Sequence, residues 1–410
     1  MGKDFIISLY LIAFKMIFGV FKLFPTKNKI TFVVSFGDNI RSVYEEMVRQ
    51  HIKAEVVFLS NGKTAKQFED YPDTTILSFE TAVISDNLKA IYHLATSRYI
   101  VVDNYFGFLA SAQFKKGVEC IQLWHAGGAI KKFGLEDASA ANRSPAAQQR
   151  FRKVYSKFDK VAVGSEEMAE IFKKAFGLGD KNILRTGVPR TDFFYDEQLK
   201  TKSLKKVESY TESWTGKKKI LYAPTYRDNE LNSFELKLDL ERLQKEIGQD
   251  YVILLKLHPA IKKRTDYERQ FPGFVFDLSS SGFHINELLL AADCLITDYS
   301  SIPYEYSLLQ RPMIFFAYDL ESYAKERGLW GEYENMVPGP VVTTTGEIIE
   351  LIKAGDFDID AIVKFAREHN KYSFGHSSEN LLQYMFSTSH DGKGADHKRI
   401  SHETDSAASR

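Results

Sequence analysis

The sequence contains little cysteine and no excess of either charge. It has two cysteines in 410 residues, Cys120 and Cys294, which are too few for a disulfide framework or a four-cysteine zinc site. Both lie in apolar, strand-like runs, a pattern that favours buried free thiols in a reducing compartment. Lys and Arg number 54, as do Asp and Glu. Because a general nucleic-acid-binding protein would be strongly basic, we expect no nucleic-acid partner.

Several common catalytic motifs are also absent. The sequence has no G-x-G-x-x-G, no P-loop, no H-E-x-x-H and no C-x-x-C pair, and no cluster of carboxylates that would require a metal. We therefore expect neither a metal nor a cofactor. Hydrophobic residues make up 44% and charged residues 26% of the chain, which are the proportions of an ordinary globular protein. A chain of this length predicts at least two domains.

The most apolar segment lies near the N-terminus, at residues 5–24. Its charge-free part is shorter than the about 20 residues that span a bilayer. On a helix, Lys15 and Lys22 lie on one narrow polar stripe, and the remaining circumference is apolar. This pattern predicts an amphipathic helix over residues 1–28 that lies in a membrane interface. A signal peptide, a single transmembrane span and a core or oligomer-contact helix are the alternatives.

Strand-like and helix-like segments alternate after Pro25, which predicts parallel sheets with right-handed crossovers. The polar, lysine-rich segment 196–219 interrupts the alternation, and we interpret it as a linker. Two α/β halves predict two facing Rossmann-like domains with a ligand in the cleft between them. The expected strands are 30–36, 54–59, 99–102, 121–124, 160–163, 183–186, 220–223, 251–257, 275–277, 294–297 and 313–316.

The halves and their flanking segments divide the chain into five expected parts. The N-terminal helix, 1–28, precedes an N-terminal Rossmann-like domain, 29–205, and a C-terminal Rossmann-like domain, 206–360. Closing helices follow at 361–386. The tail, 387–410, is rich in Ser, His, Asp, Gly and Lys without periodicity and is expected to be disordered.

Polar clusters follow five strands, where ligands bind in sheets of this kind. His125 ends a strand before a Gly-rich turn with Lys131 and Lys132. One interpretation is a general base beside lysines that attract phosphate, and the other is a strand-capping histidine. Arg190 lies in a second strand-end turn, where it can hold phosphate bidentately or pair with Asp192.

Two clusters of this kind lie in the second half. Pro224 ends a strand, and Thr225 then offers a hydroxyl group, while Arg227 and Asp228 can pair with each other. His258 follows another strand and is held by the next residue, a proline. Such an imidazole can stabilise developing phosphoryl charge or protonate a leaving group, and a satisfied core histidine is the alternative.

The fifth cluster is a Ser-Ser turn between an apolar strand and a helix. Ser300 and Ser301 add hydroxyl donors to a helix N-terminus, which can bind phosphate. Glu305 can accept hydrogen bonds from ribose hydroxyls. A hydroxyl-capped helix is the alternative.

Together these clusters resemble the CDP-glycerol glycerophosphotransferases of teichoic acid synthesis. The resemblance covers about residues 30–386 and implies the GT-B fold. The stretches 102–106 and 131–137 and the compact length resemble the primase branch of the family. The motifs that carry the resemblance are W-H at 124, G-S-E at 164, G-V-P-R at 187, A-P-T at 223, H-P at 258, D-Y-S-S at 298, R-P at 311, R-G at 327 and P-G-P at 338.

The resemblance implies transfer of one glycerol phosphate from CDP-glycerol to N-acetylmannosaminyl-N-acetylglucosamine on undecaprenyl diphosphate, with release of CMP. It implies that His125 and His258 are essential. It places the CDP-glycerol-binding domain in the C-terminal half and the acceptor on the N-terminal side. The implied CDP-glycerol contacts are Arg190, Pro224, Thr225, Lys256, Ser300, Ser301 and Glu305. Further candidates for acceptor or phosphate binding are Asp103, Lys131 and Lys132.

Two positions depart from the polymerases of the family. Lys256 replaces the usual Arg, and Glu305 replaces the usual Asp; Lys cannot form a bidentate phosphate fork. The alternative functions are a glycerol- or ribitol-phosphate polymerase, a GT-B glycosyltransferase that uses a UDP-sugar, and a non-enzymatic scaffold. The expected location is the cytoplasmic face of the cell membrane, with peripheral attachment through residues 5–24. A homo-oligomer is compatible with the sequence.

Overall fold

The computed structural model describes residues 2–227, 230–232, 234–261, 263 and 265–387. Its thirteen named strands are β1 (Lys27–Val33), β2 (Glu55–Leu59), β3 (Thr74–Leu77), β4 (Ser97–Val102), β5 (Glu119–Gln122), β6 (Lys160–Ala162), β7 (Ile183–Leu184), β8 (Lys218–Ala223), β9 (Tyr251–Leu255), β10 (Val275–Asp277), β11 (Cys294–Thr297), β12 (Met313–Phe316) and β13 (Val341–Val342).

The α-helices connect and flank these strands. They are α1 (Gly2–Phe21), α2 (Asp38–Arg49), α3 (Gly62–Ala65), α4 (Ile84–Thr96), α5 (Pro145–Tyr155), α6 (Glu166–Phe176), α7 (Glu197–Glu208), α8 (Leu240–Ile247), α9 (Tyr267–Gln270), α10 (Ile285–Ala291), α11 (Ile302–Tyr306), α12 (Leu320–Arg327), α13 (Thr345–Ala354), α14 (Ile359–His369) and α15 (Ser377–Ser387).

The strands form two parallel sheets, one in each half of the chain. The first has the order β3-β2-β1-β4-β5-β6-β7 and the second the order β10-β9-β8-β11-β12-β13. In each sheet the chain moves outward from a central strand, returns, and continues on the other side, which is the doubly wound Rossmann topology. The predicted α/β architecture of two Rossmann-like units is therefore confirmed.

The strands are apolar because helices cover both faces of each sheet. In the first sheet, β1 buries its last five residues, and β4 is buried at all but one position. Both cysteines are buried free thiols, Cys120 in β5 and Cys294 in β11, as predicted. Every paired strand runs parallel to its neighbour, so the carboxyl ends of the strands meet at one edge of each sheet.

The segment predicted as a linker lies between the last strand of the first sheet and the first strand of the second, and it contains helix α7. The Asp196 carboxylate caps α7 by accepting hydrogen bonds at 2.9 Å from the backbone N–H groups of Gln198 and Leu199. Val207 of this helix is buried in the core of the second half. The helix was not predicted because its sequence is mostly polar and only a narrow stripe of its surface is buried.

The chain returns to the first half at its end. Helix α15 buries Leu381, Leu382 and Met385 beside β1. The Asp192 carboxylate caps this helix, because it accepts from the backbone N–H groups of Ser377 and Ser378 at 2.9 and 2.8 Å. The expected tail lies outside the described residues, except that Ser387 ends α15. The domain boundaries stay predictions.

Helix α1 presents two apolar faces. Phe14 and Phe18 are buried, with ring centroids 5.4 Å from Phe108 and 5.9 Å from Phe114. The opposite face exposes large apolar side chains, and the segment Asp4–Phe21 is long and apolar enough to cross a membrane by length and composition. The sequence predicted that the whole apolar surface of this helix faces lipid. The part that contains Phe14 and Phe18 packs on the protein instead. The exposed large apolar residues of α1 are Phe5, Ile6, Leu9, Tyr10, Ile12, Met16 and Val20.

Candidate active site

A cleft of about 1230 Å³ lies between the two halves. Its walls come from the start of α2, the turn after β7, the turn after β9 and the loop before α10. These segments follow strands or precede helices at the edges where ligands bind in doubly wound sheets. Among the residues that line it are Asp38, Arg190, Lys256, His258 and His284.

His125 follows β5 at a sharp change of backbone direction. Trp124 adopts a left-handed conformation with φ of 56°, which is uncommon for a residue other than glycine. The His125 imidazole lies between two aromatic rings, with centroids 4.1 Å from Phe36 and 4.3 Å from Trp124. Its Nδ1 atom is 3.1 Å from the backbone oxygen of Asp103. Burial lowers the pKa of His125 to about 4, and the charge of Arg190 contributes in the same direction.

The Asp103 carboxylate is buried and is hydrogen-bonded to backbone N–H groups. It accepts hydrogen bonds from the N–H groups of Ser35, Phe36 and Gly37 at 2.8, 2.9 and 2.8 Å. Burial raises the pKa of Asp103 to about 6, although these three hydrogen bonds act in the opposite direction. The carboxylate thus holds the turn after β1. Any role of Asp103 in acceptor or phosphate binding stays a prediction.

An ion pair joins the two halves beside His125. Arg190 donates from Nε to Glu305 Oε1 at 2.9 Å, and its Nη2 also contacts that oxygen. The Nη1 atom donates to the backbone oxygen of His125 at 2.8 Å. Burial lowers the pKa of Arg190, but the charges of Glu305 and Asp38 outweigh it and raise the pKa overall. Glu305 is only 2% exposed, so this pair is shielded from water.

The Gly-rich turn after His125 packs directly on helix α11. A Cβ atom at Gly128 would overlap the Tyr304 ring, and the N–H group of Gly127 donates to Glu305 Oε1 at 3.2 Å. The glycines therefore allow the turn of the first half to approach the second half closely. This observation explains the small residues that the sequence places after His125.

Lys131 and Lys132 lie where the same turn meets the segment after α12. Lys131 forms an antiparallel bridge with Leu329, and the N–H group of Lys132 donates to the oxygen of Gly328 at 3.0 Å. The charge of Lys131 lowers the pKa of both His125 and His258. Lys131 therefore lies within electrostatic reach of both imidazoles.

His258 and Lys256 follow β9 on the facing wall. The His258 ring is 4.5 Å from the Tyr226 ring, and its Nδ1 atom accepts from the N–H group of Ala260 at 3.2 Å. Desolvation lowers the pKa of His258. The Lys256 ammonium donates to two backbone oxygens, at 3.0 Å to Leu278 and 2.9 Å to Phe283. It therefore fixes the loop before α10 as well as facing the cleft.

The remaining predicted nucleotide contacts surround the end of β11. Pro224 and Thr225 are buried after β8, and the N–H group of Thr225 donates to Asp298 Oδ1 at 2.8 Å. The Ser300 hydroxyl accepts from the N–H group of Ile302 at 3.2 Å. Ser301 precedes α11 and forms no side-chain capping bond to that helix.

Arg227 has two acidic partners that are distant in the sequence, Asp298 and Asp319. Asp228 lies outside the described residues. The guanidinium group donates to both carboxylate oxygens of Asp319, at 2.8 and 2.9 Å, and to Asp298 Oδ2 at 3.1 Å. The Tyr323 ring lies 4.6 Å from the guanidinium carbon. This buried network holds the loop after β11 against the loop after β12.

Sequence reasoning missed two residues at the start of α2. Asp38 Oδ1 is 2.7 Å from Nε2 of His284, which lies on the opposite wall of the cleft. Burial raises the pKa of Asp38, but the hydrogen bond from His284 and the charges of Arg190 and Arg41 lower it to about 2. Asn39 accepts from the N–H group of Arg190 at 2.9 Å. The only available signal was the position of both residues at the start of a helix, after the turn that follows β1.

Comparisons with known proteins identify the family of the chain. The model of the CDP-glycerol:poly(glycerophosphate) glycerophosphotransferase family matches residues 14–387. The chain belongs to this family. A teichoic acid glycerol-phosphate primase of Bacillus subtilis (strain 168) is 38% identical over 359 residues, which are 88% of this chain and 92% of that protein. A primase of Bacillus spizizenii is 35% identical over 383 residues, 93% of this chain and 98% of that protein.

A solved structure has the same architecture over almost the whole chain. The wall teichoic acid polymerase TagF superposes with a TM-score of 0.77 and 25% identity, and the match covers 95% of this chain and 98% of that chain. The glycerophosphotransferase family and its two-unit fold are therefore as the motifs predicted. The roles of individual site residues stay predictions.

Proposed function

We propose that this glycerophosphotransferase is a teichoic acid primase. It transfers one glycerol phosphate from CDP-glycerol to N-acetylmannosaminyl-N-acetylglucosamine on undecaprenyl diphosphate, and CMP leaves. The observation that carries the proposal is the match to two glycerol-phosphate primases over nearly their full lengths, 98% and 92%. The cleft between the halves has room for a nucleotide and a sugar acceptor together, because its volume exceeds that of a typical small-molecule site.

The reaction is a displacement at the phosphorus that carries glycerol. His125 removes the proton from the acceptor hydroxyl, the hydroxyl oxygen attacks that phosphorus, and the bond to the CMP oxygen breaks with its electron pair. His258 and Lys256 stabilise the charge that develops on the departing phosphate. With a pKa lowered to about 4, the His125 imidazole is neutral near pH 7 and is therefore in the form that can accept a proton.

CDP-glycerol docks mainly on the C-terminal half in this proposal. Its diphosphate binds near Ser300 and Ser301, and Pro224 and Thr225 border the nucleotide. The support is their common location after the central strands of the second sheet. Lys131, which acts electrostatically on both histidines, would attract the phosphate charge.

We propose that residues 5–24 attach the protein peripherally to the cytoplasmic face of the cell membrane. The apolar face of α1 opposite Phe14 and Phe18 is exposed over the length of the helix. A contiguous exposed apolar surface of this kind marks an interaction site, and Lys15 and Lys22 would reach lipid phosphates. This attachment would bring the cleft to an acceptor whose lipid stays in the bilayer.

The test is release of CMP from CDP-glycerol with and without the lipid-linked disaccharide. The native protein should show acceptor-dependent release and a single added glycerol phosphate. His125→Ala should abolish most of the release, while His51→Asn, at an exposed histidine after α2, should not. A ladder of products would identify a polymerase, and turnover of a UDP-sugar in preference to CDP-glycerol would refute the proposal.

A further inference from the structure

We propose that Phe36 and Asp103 are positioning residues that hold the His125 imidazole with Nε2 as its base atom. This inference deepens the proposed function and rests on it. It concerns the turn at residues 35–37, which follows β1 and lies beside the end of β5. No motif of the sequence pointed to this turn.

The hydrogen bond between His125 and Asp103 determines the tautomer. A backbone carbonyl oxygen can only accept a hydrogen bond, so the Nδ1 atom that lies 3.1 Å from the Asp103 oxygen must carry the proton. In a neutral imidazole the other nitrogen, Nε2, then carries the lone pair. The geometry therefore leaves Nε2 as the nitrogen that can take the proton of the acceptor hydroxyl.

Asp103 holds both the imidazole edge and the ring that covers it. Its backbone oxygen accepts from His125, and its carboxylate accepts from three consecutive N–H groups of the turn, including that of Phe36 at 2.9 Å. An aspartate buried at the end of β4 is costly unless such hydrogen bonds compensate for its lost hydration. One residue thus sets the relative position of the turn and the histidine.

Phe36 covers one face of the imidazole, and Trp124 covers the other. The Phe36 and His125 rings are nearly parallel, with 25° between their planes and 4.1 Å between their centroids. Phe36 remains 45% exposed, although a large apolar side chain usually avoids water. The ring thus covers that face of the histidine and restricts its rotation.

This enclosure affects the proton affinity of His125. Burial is the largest cause of its lowered pKa, and the charges of Arg190 and Lys131 lower it further. Asp38 and the carbonyl of Asp103 act in the opposite direction. Removal of the Phe36 ring would admit water to one face of the imidazole, so the pKa would rise toward the ordinary value of about 6.5.

The arrangement fits the proton balance of the reaction. When Nε2 takes the hydroxyl proton, His125 becomes an imidazolium whose Nδ1–H group still donates to the Asp103 carbonyl. A charged donor strengthens that hydrogen bond. The proton is later released to solvent, and the acceptor oxygen has replaced the CMP oxygen on phosphorus.

Three variants test the proposal: Phe36→Ala, Phe36→Tyr and Asp103→Asn. The pH dependence of kcat/KM and the nitrogen NMR shifts of the His125 imidazole are measured for each full-length protein. In Phe36→Ala we expect the acidic midpoint of the pH profile to rise by about one unit, because the imidazole gains hydration. We expect kcat to fall roughly tenfold through misalignment, with the KM for CDP-glycerol unchanged. Phe36→Tyr keeps the stacked ring and should restore the native midpoint.

The Asp103→Asn variant tests the hydrogen bonds that hold the turn while the Phe36 ring is still present. An amide presents a donor to at least one backbone N–H group, so the turn loosens and the same shift of the pH profile should appear. A variant that only loses folded protein would lower the amplitude of the profile without moving its midpoint. An unchanged midpoint in Phe36→Ala would refute the positioning role.

The imidazole spectra distinguish this inference from the proposed function. They need no substrate and should show the proton on Nδ1 of His125 in the native protein. A proton on Nε2 would overturn the inference even if the protein released CMP. Conversely, failure to turn over any acceptor would count against the primase, while the tautomer and the titration of His125 would still decide the positioning role.

Discussion

The two faces of α1 allow membrane attachment and protein packing to be separated by substitution. The triple variant Leu9→Ser, Ile12→Ser and Met16→Ser changes the exposed face alone. The variant Phe18→Ala changes the buried face, where the ring packs against the first half. We expect the triple variant to lose membrane binding without loss of stability, and Phe18→Ala to unfold more easily.

The exposure of the three side chains sets the size of the first effect. Leu9, Ile12 and Met16 are 59%, 56% and 68% exposed, so more than half of each can be transferred from water to lipid. Full burial of such a side chain stabilises by about 1.5–3 kcal/mol, so the three exposed parts together contribute roughly 3 kcal/mol. This free energy corresponds to a roughly 100-fold weaker partition into vesicles. Phe18→Ala should instead cost about 3–5 kcal/mol of unfolding free energy.

The assay is sedimentation with vesicles that contain anionic lipid, followed by urea denaturation of each variant. A matched control replaces exposed apolar residues far from α1, Val48→Ser with Phe374→Ser, and should bind vesicles as the native protein does. Vesicle binding of the triple variant at the native level would refute the membrane role of this face. A large loss of stability in the triple variant would show that the face is packed on protein instead.

Three further predictions concern the candidate active site. His125→Ala should lower the rate of CMP release by about 10²–10⁴-fold, as measured by steady-state kinetics, because general base catalysis contributes that much. Glu305→Ala should lower the unfolding free energy by about 3–5 kcal/mol in urea titrations, since it leaves the Arg190 guanidinium buried without its carboxylate, and Glu305→Gln should cost less. Asp38 has a folded pKa of about 2, below the unfolded value, so its contribution to stability is fully present above about pH 4 and is lost as the pH falls toward 2. Denaturation at several pH values should therefore show a smaller loss of stability on acidification for Asp38→Asn than for the native protein.

The sequence predicted the architecture because alternation of strands and helices leaves few topologies. Eleven expected strands correspond to strands of the two sheets. The sequence did not predict β3 and β13, which lie at sheet edges and are short, so their apolar runs are too brief to stand out. Helix α7 was missed for a different reason: its capping aspartate and narrow buried stripe were hidden by many lysines.

The sequence predicted the site residues that follow strands directly. It did not predict the contacts between residues that are far apart in the chain. His125 and His258 stand at strand ends and were found there. The pairing of Asp38 with His284 joins residues 246 positions apart, and no local pattern encodes such a contact. The same holds for Glu305, whose carboxylate could be assigned to a ligand from its motif but not to Arg190 from its sequence position.

The Arg190–Glu305 pair also bears on how a nucleotide would enter the proposed site. Both residues are assigned to CDP-glycerol by their motifs, yet they bond to each other and, through Arg190 Nη1, to the backbone of His125. A phosphate that approaches Arg190 would replace one anionic partner with another, and ribose hydroxyls would take the place of guanidinium at Glu305. In this exchange Arg190 keeps an anionic partner and Glu305 keeps hydrogen-bond donors, whereas a buried charge without any partner would cost several kcal/mol. Because Gly127 also donates to Glu305, this exchange would act on the turn that follows His125, and nucleotide binding would then be mechanically linked to the position of the proposed base.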